Sequence, residues 1–351
     1  MKRGKKLLVL TLVLCLLAAA AAAASRLNPE GEETAGEETV IFTVDTGTVT
    51  KLSWRCQDQT LTFTRNGNCW SYEDPAFPVN QTNLDSLLVT LSELTASKTI
   101  ADVEDLGEYG LDEAGWEIWV SDGAGEYHLT LGDETGVSAE RYLSLGDGNV
   151  YLVDSAVTEK FSAGLYDLIQ MEQIPDLSDM TRFTVRTAGG ELDIAYEQSG
   201  DAAFWYLAAD ESKQALDEDK VAALTDLIGE LSWNSCADYN AGAEALAPYG
   251  LAEPAVTVQV GYLADVEVVT DTLDTDGNPV VLTEQEDAVF TVQIGLGEDG
   301  GCYARLADSA MVYAIDTDVY DGLCAAETAQ LQPEPEQTES TDAAETTGAN
   351  S

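Results

Sequence analysis

Apolar and polar residues alternate through "VTKLSWR" (Val49 to Arg55) and "TLTFT" (Thr60 to Thr64), the period of two that marks a half-buried β-strand. The same alternation returns in "MTRFTVR" (Met180 to Arg186) and "ELDIA" (Glu191 to Ala195), displaced by 131 positions in both cases. Trp70 in "NCWSYED" and Trp205 in "AFWYLAAD" then occupy matching places, each followed by a polar turn and a helical pattern. Leu84, Leu87, Leu91 and Leu94 recur at spacings of 3, 4 and 3, and Val221, Leu224, Ile228 and Leu231 repeat those spacings. Each set lines one face of an amphipathic helix.

The correspondence continues beyond the helices. "YGLDEAGWEIWV" (Tyr109 to Val120) is echoed by "YGLAEPAVTVQV" (Tyr249 to Val260), and "YHLTLG" (Tyr127 to Gly132) by "FTVQIG" (Phe290 to Gly295). Tyr142 then answers Tyr303, "VYLVDS" (Val150 to Ser155) answers "VYAIDT" (Val312 to Thr317), and Val157 and Phe161 answer Val319 and Leu323. Shared order, spacing and apolar pattern predict a tandem repeat, residues 40–174 and 175–328. Each copy reads as two or three antiparallel strands, one amphipathic helix, four more short strands and a closing helical turn. One helix set into a run of hairpin-length strands is an α+β signature, because parallel βαβ units would alternate throughout.

In this reading Gly110 and Gly250 relax the backbone of the two turns, and Leu111 and Leu251 plug the core before a strand begins. Pro254 suits a strand's first residue or an edge. The second copy carries about 23 more residues between Val260 and Phe290 than the first has at that place. Two Val-rich runs flank Asp276-Gly277, so residues 264–287 are expected to form a projecting hairpin. The same string resembles a calcium loop through Asp274, Asp276 and Gly277. Aligned on that glycine, however, an EF-hand would place Thr272 and Thr283 at its two terminal ligand positions, where carboxylates are needed.

Charge narrows the classes of partner. Sixteen Lys and Arg stand against 64 Asp and Glu, a net charge of -48. Nucleic acid is excluded as a partner, since such affinity depends on basic side chains that release phosphate counterions. The basic island is at the N-terminus, where Lys2, Arg3, Lys5 and Lys6 precede an apolar run from Leu7 to Ala24. That run, with Ala22-Ala23-Ala24 before Ser25, fits a cleaved secretory signal over residues 1–25. It fits a retained anchor equally, because 18 helical residues just cross a thin hydrocarbon core. Either way the body of the chain is expected outside the cytoplasm, anchored to the cell membrane or secreted. Cys15 lies inside the apolar run behind Leu14, which argues against lipidation there. The flanks 26–39 and 329–351 are acidic, poor in apolar residues and expected to be disordered.

Chemistry-bearing constellations are scarce. The remaining cysteines are Cys56, Cys69, Cys236, Cys302 and Cys324, without C-x-x-C spacing, and His128 is the sole histidine, so a zinc ribbon or finger is not expected. Cys56 with Cys69 and Cys302 with Cys324 are open as local bridges, and equally as small core residues. His128 alternates with the apolar residues of its strand and is expected to face solvent. Carboxylate pairs carry no information in so acidic a chain, and no G-x-S-x-G or P-loop string occurs. Of the six tryptophans, Trp70 and Trp205 read as core by their matched positions, while Trp119 and Trp233 read as possible exposed contacts.

The strand-strand-Trp opening, the leucine helix, the "D-L-x-x-Y-G-L" turn at Asp105 to Leu111, "L-x-L-G-D" at Leu129 to Asp133 and "V-Y-L-V-D" at Val150 to Asp154 resemble the bacterial family catalogued as domain of unknown function 4340. The resemblance runs from about residue 40 to 328 in two passes. It implies a membrane-tethered extracytoplasmic protein whose genes neighbour an ABC-type transport system of the gliding-motility kind, and it carries no catalytic residues. The expectation is a non-catalytic interaction or scaffold protein, without cofactor, metal or enzymatic activity, whose protein partner belongs to membrane transport machinery. The alternative is an extracytoplasmic binding protein for a cation or a cell-envelope glycan.

Overall fold

The structure is a computed structural model that describes residues 38–56, 58–136, 138–200, 202–273, 279–326 and 328–333. The Leu7 to Ala24 segment, most of both acidic flanks and the Asp276-Gly277 tip lie outside the described residues. Among the described residues two compact units are formed, one by residues 38–73 together with 81–164, the other by 74–80 together with 165–333. Residues 74–80 and 165–174 therefore belong to the second unit rather than the first. They are held there by an antiparallel bridge between Val79 and Ile169 and by hydrogen bonds from Asn80 N to Leu168 O (2.8 Å) and from Gln170 N to Pro78 O (2.7 Å).

The first unit contains β1 (Thr39–Thr43), β2 (Lys51–Cys56), β3 (Gln59–Asn66), β4 (Cys69–Ser71), α1 (Gln81–Ser92), β5 (Glu93–Ala96), β6 (Lys98–Ile100), β7 (Trp116–Ser121), β8 (Glu126–Glu134), β9 (Glu140–Ser144), β10 (Val150–Asp154) and α2 (Ala156–Lys160). Eight of its strands form one antiparallel sheet in the order β4-β3-β2-β7-β8-β9-β10-β6. Alternation works as the sequence implies: Ile118 and Val120 of β7 are buried, as are Leu129 and Leu131 of β8. The apolar stripe of α1 (Leu84, Leu87, Leu88 and Leu91) is buried as well.

The second unit contains β11 (Met180–Thr187), β12 (Gly190–Ser199), β13 (Ala202–Leu207), α3 (Glu218–Gly229), β14 (Ser235–Asp238), β15 (Val256–Leu273), β16 (Pro279–Leu296), β17 (Cys302–Leu306), β18 (Val312–Ile315) and α4 (Thr317–Cys324). Its sheet order, β13-β12-β11-β15-β16-β17-β18-β14, repeats the first strand for strand. Val221, Leu224 and Ile228 of α3 enter the same core as Phe183, Ile194 and Val258. The fold is α+β: two eight-stranded antiparallel sheets, each with its helix.

The structure corrects the sequence reading in three places. Each copy has one more short strand, β6 or β14, which closes the far edge of the sheet against β10 or β18. Three or four residues are too few to show a period. Leu94 and Leu231 are buried but lie beyond the helices: Leu94 sits in β5 opposite Phe42, and Leu231 follows the end of α3 at Gly229. The copies also differ at a second place besides the insertion, because β1 and β5 make a separate two-stranded sheet in the first unit. Leu94 lies three residues after Leu91, so it fits the helical stripe as well as it fits the strand that follows.

Candidate functional site

The two YGL turns share one construction. A 3-10 turn, Gly107–Tyr109 or Ala243–Tyr249, ends on a left-handed glycine, with φ 66° at Gly110 and 68° at Gly250. The next amide reaches back five residues, Leu111 N to Leu106 O at 3.1 Å and Leu251 N to Leu246 O at 3.0 Å, which closes a Schellman-type cap. Tyr109 meets Tyr142 edge to face at 4.9 Å, and Tyr249 meets Tyr303 at the same 4.9 Å. A second glycine completes each turn. A side chain on Gly132 would collide with the carbonyl oxygen of Tyr109, and one on Gly295 with the carbonyl of Gly250. The "L-G" at the end of the β8 and β16 motifs is therefore the seat of the YGL turn. Leu111 and Leu251 are both buried.

Trp119 and Trp233 are both half-buried, in different surroundings. Trp119 lies on the outer face of its sheet, stacked at 5.0 Å on His128, its cross-strand partner. The exposed His128 ring is 2.8 Å from Glu117, which also pairs with Arg55. Trp233 packs into the second unit: its ring stacks on Tyr313 at 4.4 Å, and its indole N–H donates to Glu172 O at 2.8 Å. Tyr313 is fully buried, and desolvation raises its pKa well above the usual tyrosine range. Among the described residues Cys69, Cys236, Cys302 and Cys324 are all free thiols. Burial pushes Cys236 and Cys302 up to about 11, so both behave as neutral core residues. No group of three or more His, Cys, Asp or Glu among the described residues has the geometry to hold a metal ion.

The matched tryptophans show where the copies diverge. In the first unit Arg65 is the cross-strand partner of Trp70. Its guanidinium carbon stands 5.4 Å from the Trp70 ring centroid, and its Nη2 lies 3.6 Å from Asp85 on α1. The Trp70 indole donates to the same carboxylate at 3.0 Å, and Arg65 Nη1 donates to Thr46 O at 2.8 Å. In the second unit the cross-strand partner of Trp205 is Tyr196, whose ring lies 5.5 Å away. A cleft of about 590 Å³ opens beside this pair, lined also by Asp176, Asp179, Asp226 and Glu230, and none of its lining residues is basic. By their matched positions the sequence gives both tryptophans the same packing role. The signal that separates them was present at the 131-residue displacement, which sets Tyr196 against Arg65.

These features define an α+β protein in which one sheet-and-helix topology is built twice. The chain belongs to the family described as Domain of unknown function (DUF4340), whose model matches residues 70–254 and 205–329, together well over half of the 351 residues. The two matches begin on Trp70 and Trp205, the same place in each copy. Neither the curated proteins nor the solved structures compared with the chain include a match.

Proposed function

We propose that this chain is an exported, membrane-tethered interaction protein without catalytic activity, serving as a scaffold or accessory subunit beside membrane transport machinery of the ABC type. The observation that carries the reading is the arm formed by the outer halves of β15 and β16. Pairing with β11 ends at Tyr262, whereas β15 and β16 continue to pair with each other from Leu263 opposite Asp287 out to Leu273 opposite Pro279. Val269, Val281 and Leu282 on this arm are about half exposed or more. An isolated two-stranded ribbon is marginal in water, and its free edges are templates for another strand. A protein partner that adds a strand to one edge would cover both the unpaired backbone and the valines. The basic N-terminal island and apolar run support export, and the acidic leash at 26–39 would hold the repeats clear of the membrane.

Trimming the arm tests this. A variant with residues 264–286 replaced by an Asn-Gly turn keeps both sheets, and its melting temperature is expected to stay within a few degrees of the parent. Used as bait on membranes in mild detergent, the parent chain should retain a stoichiometric partner, and the trimmed chain should lose at least nine-tenths of it. Recovery of no partner, with the protein free in the medium, or capture that survives trimming, contradicts the reading.

A further inference from the structure

The geometry points to the Trp205–Tyr196 cleft as a binding site for a guanidinium group, the side chain of an arginine supplied from outside the chain. The first copy displays the occupied form of the same place. There Arg65 lies over Trp70, pairs with a helix carboxylate and donates to a backbone carbonyl, the three contacts by which a protein holds a guanidinium. The second copy retains the tryptophan and has lost the arginine, Tyr196 standing in its place opposite Trp205.

Matching Leu84 to Val221 sets Ala222 where the first copy has Asp85, so the acid that served the internal arginine is gone too. Other acids face the cleft instead. Asp226 lies one turn further along α3 and Glu230 at its end, while Asp176 and Asp179 line the cleft from the segment before β11. The backbone N–H of Ser178 holds the Asp176 carboxyl below the usual range, so this acid is charged at neutral pH. Trp205 is half-buried and Tyr196 is 37% exposed, which leaves the aromatic wall open to a planar cation. Four acidic residues line the cleft beside the aromatic pair and no basic residue does, so an incoming guanidinium meets acidic partners and no resident cation. The assignment rests on reading the chain as an interaction protein and names the chemistry its second copy recognises.

The test is titration of the purified chain with N-acetyl-L-arginine amide, followed by calorimetry and tryptophan fluorescence. N-acetyl-L-citrulline amide serves as the uncharged isostere, and a glycine-flanked arginine peptide as the polypeptide form. Saturable binding of the arginine amide is expected, at least tenfold tighter than the citrulline amide and weakened by added salt. Tyr196→Arg should place an internal arginine over Trp205, keep the melting temperature at or above the parent, and reduce binding tenfold or more. Asp226→Asn with Glu230→Gln should also reduce binding tenfold, with the fold retained. A peptide bound tenfold tighter than the amide identifies a polypeptide source, whereas equal affinities identify a free guanidinium ligand; both support the site. Absence of saturation, equal binding of citrulline, or undiminished binding by Tyr196→Arg overturns it. If the arginine amide fails while arm trimming still abolishes partner capture, only the cleft assignment falls.

Discussion

Gly295→Ala is expected to destabilise the second unit by about 3 kcal/mol, the upper part of the range for forcing a methyl into closed packing. The position has no room: an added Cβ would meet the carbonyl oxygen and carbon of Gly250 and, at 2.9 Å, the carbonyl oxygen of Tyr249. These obstacles are backbone, so no side-chain rotation relieves them. The turn would have to lift from β16, and with it the left-handed Gly250 and the Leu251 cap. Gly132→Ala should do the same in the first unit, where the obstacle is the Tyr109 carbonyl. Gly115→Ala is the control. Nothing lies within 4 Å of an added Cβ there, and a change within about 0.5 kcal/mol is expected. Urea unfolding followed by tryptophan fluorescence measures all three, and near-neutral Gly295→Ala would show that the turn is not seated as described.

Leu251→Ala is expected to cost about 2 to 5 kcal/mol, the range for truncating a buried leucine, and Leu111→Ala a similar amount. Leu251 is 1% exposed and packs with Ala241, Leu246 and Val312 in a small cluster of its own. Such a satellite cluster has few neighbours able to collapse into the space left behind, which favours the upper half of the range. Leu111 is 6% exposed. Its truncation should cost less than that of Leu251, and the order of the two effects is as informative as their size. Calorimetric melts of the two variants give the comparison. A shift of under 1 °C for Leu251→Ala would remove the turn leucine from the core.

How much of this was readable depends on where the information lies along the chain. Strand alternation and the helical stripes are local, so Leu52, Ile118, Leu84 and Ile228 announce their burial through spacing alone, and the repeat doubles each observation. The short edge strands β6 and β14 offer no period, and their place in the sheet is decided by pairing with β10 and β18 some 50 to 80 residues later. Trp233 follows the end of α3, where no periodicity assigns a face, and only the fold brings Tyr313 and Glu172 to it. The outward face of Trp119 was legible from alternation, but its stacking on His128 depends on the β7–β8 register. Arg65, Trp70 and Asp85 are separated by turns in sequence and meet only when α1 lies against β4. The contrast with Tyr196 and Trp205 becomes meaningful once that meeting is seen.

We propose that this chain acts by contact with a protein partner, made through the arm of the second copy. Photo-crosslinking in intact cells addresses it most directly, with one crosslinking residue at Leu282 on the arm and another at Val89 on α1, both well exposed at 49% and 65%. A discrete crosslinked species of one membrane-associated protein is expected from Leu282, and none from Val89. No adduct from Leu282, or the same adduct from both positions, would contradict it.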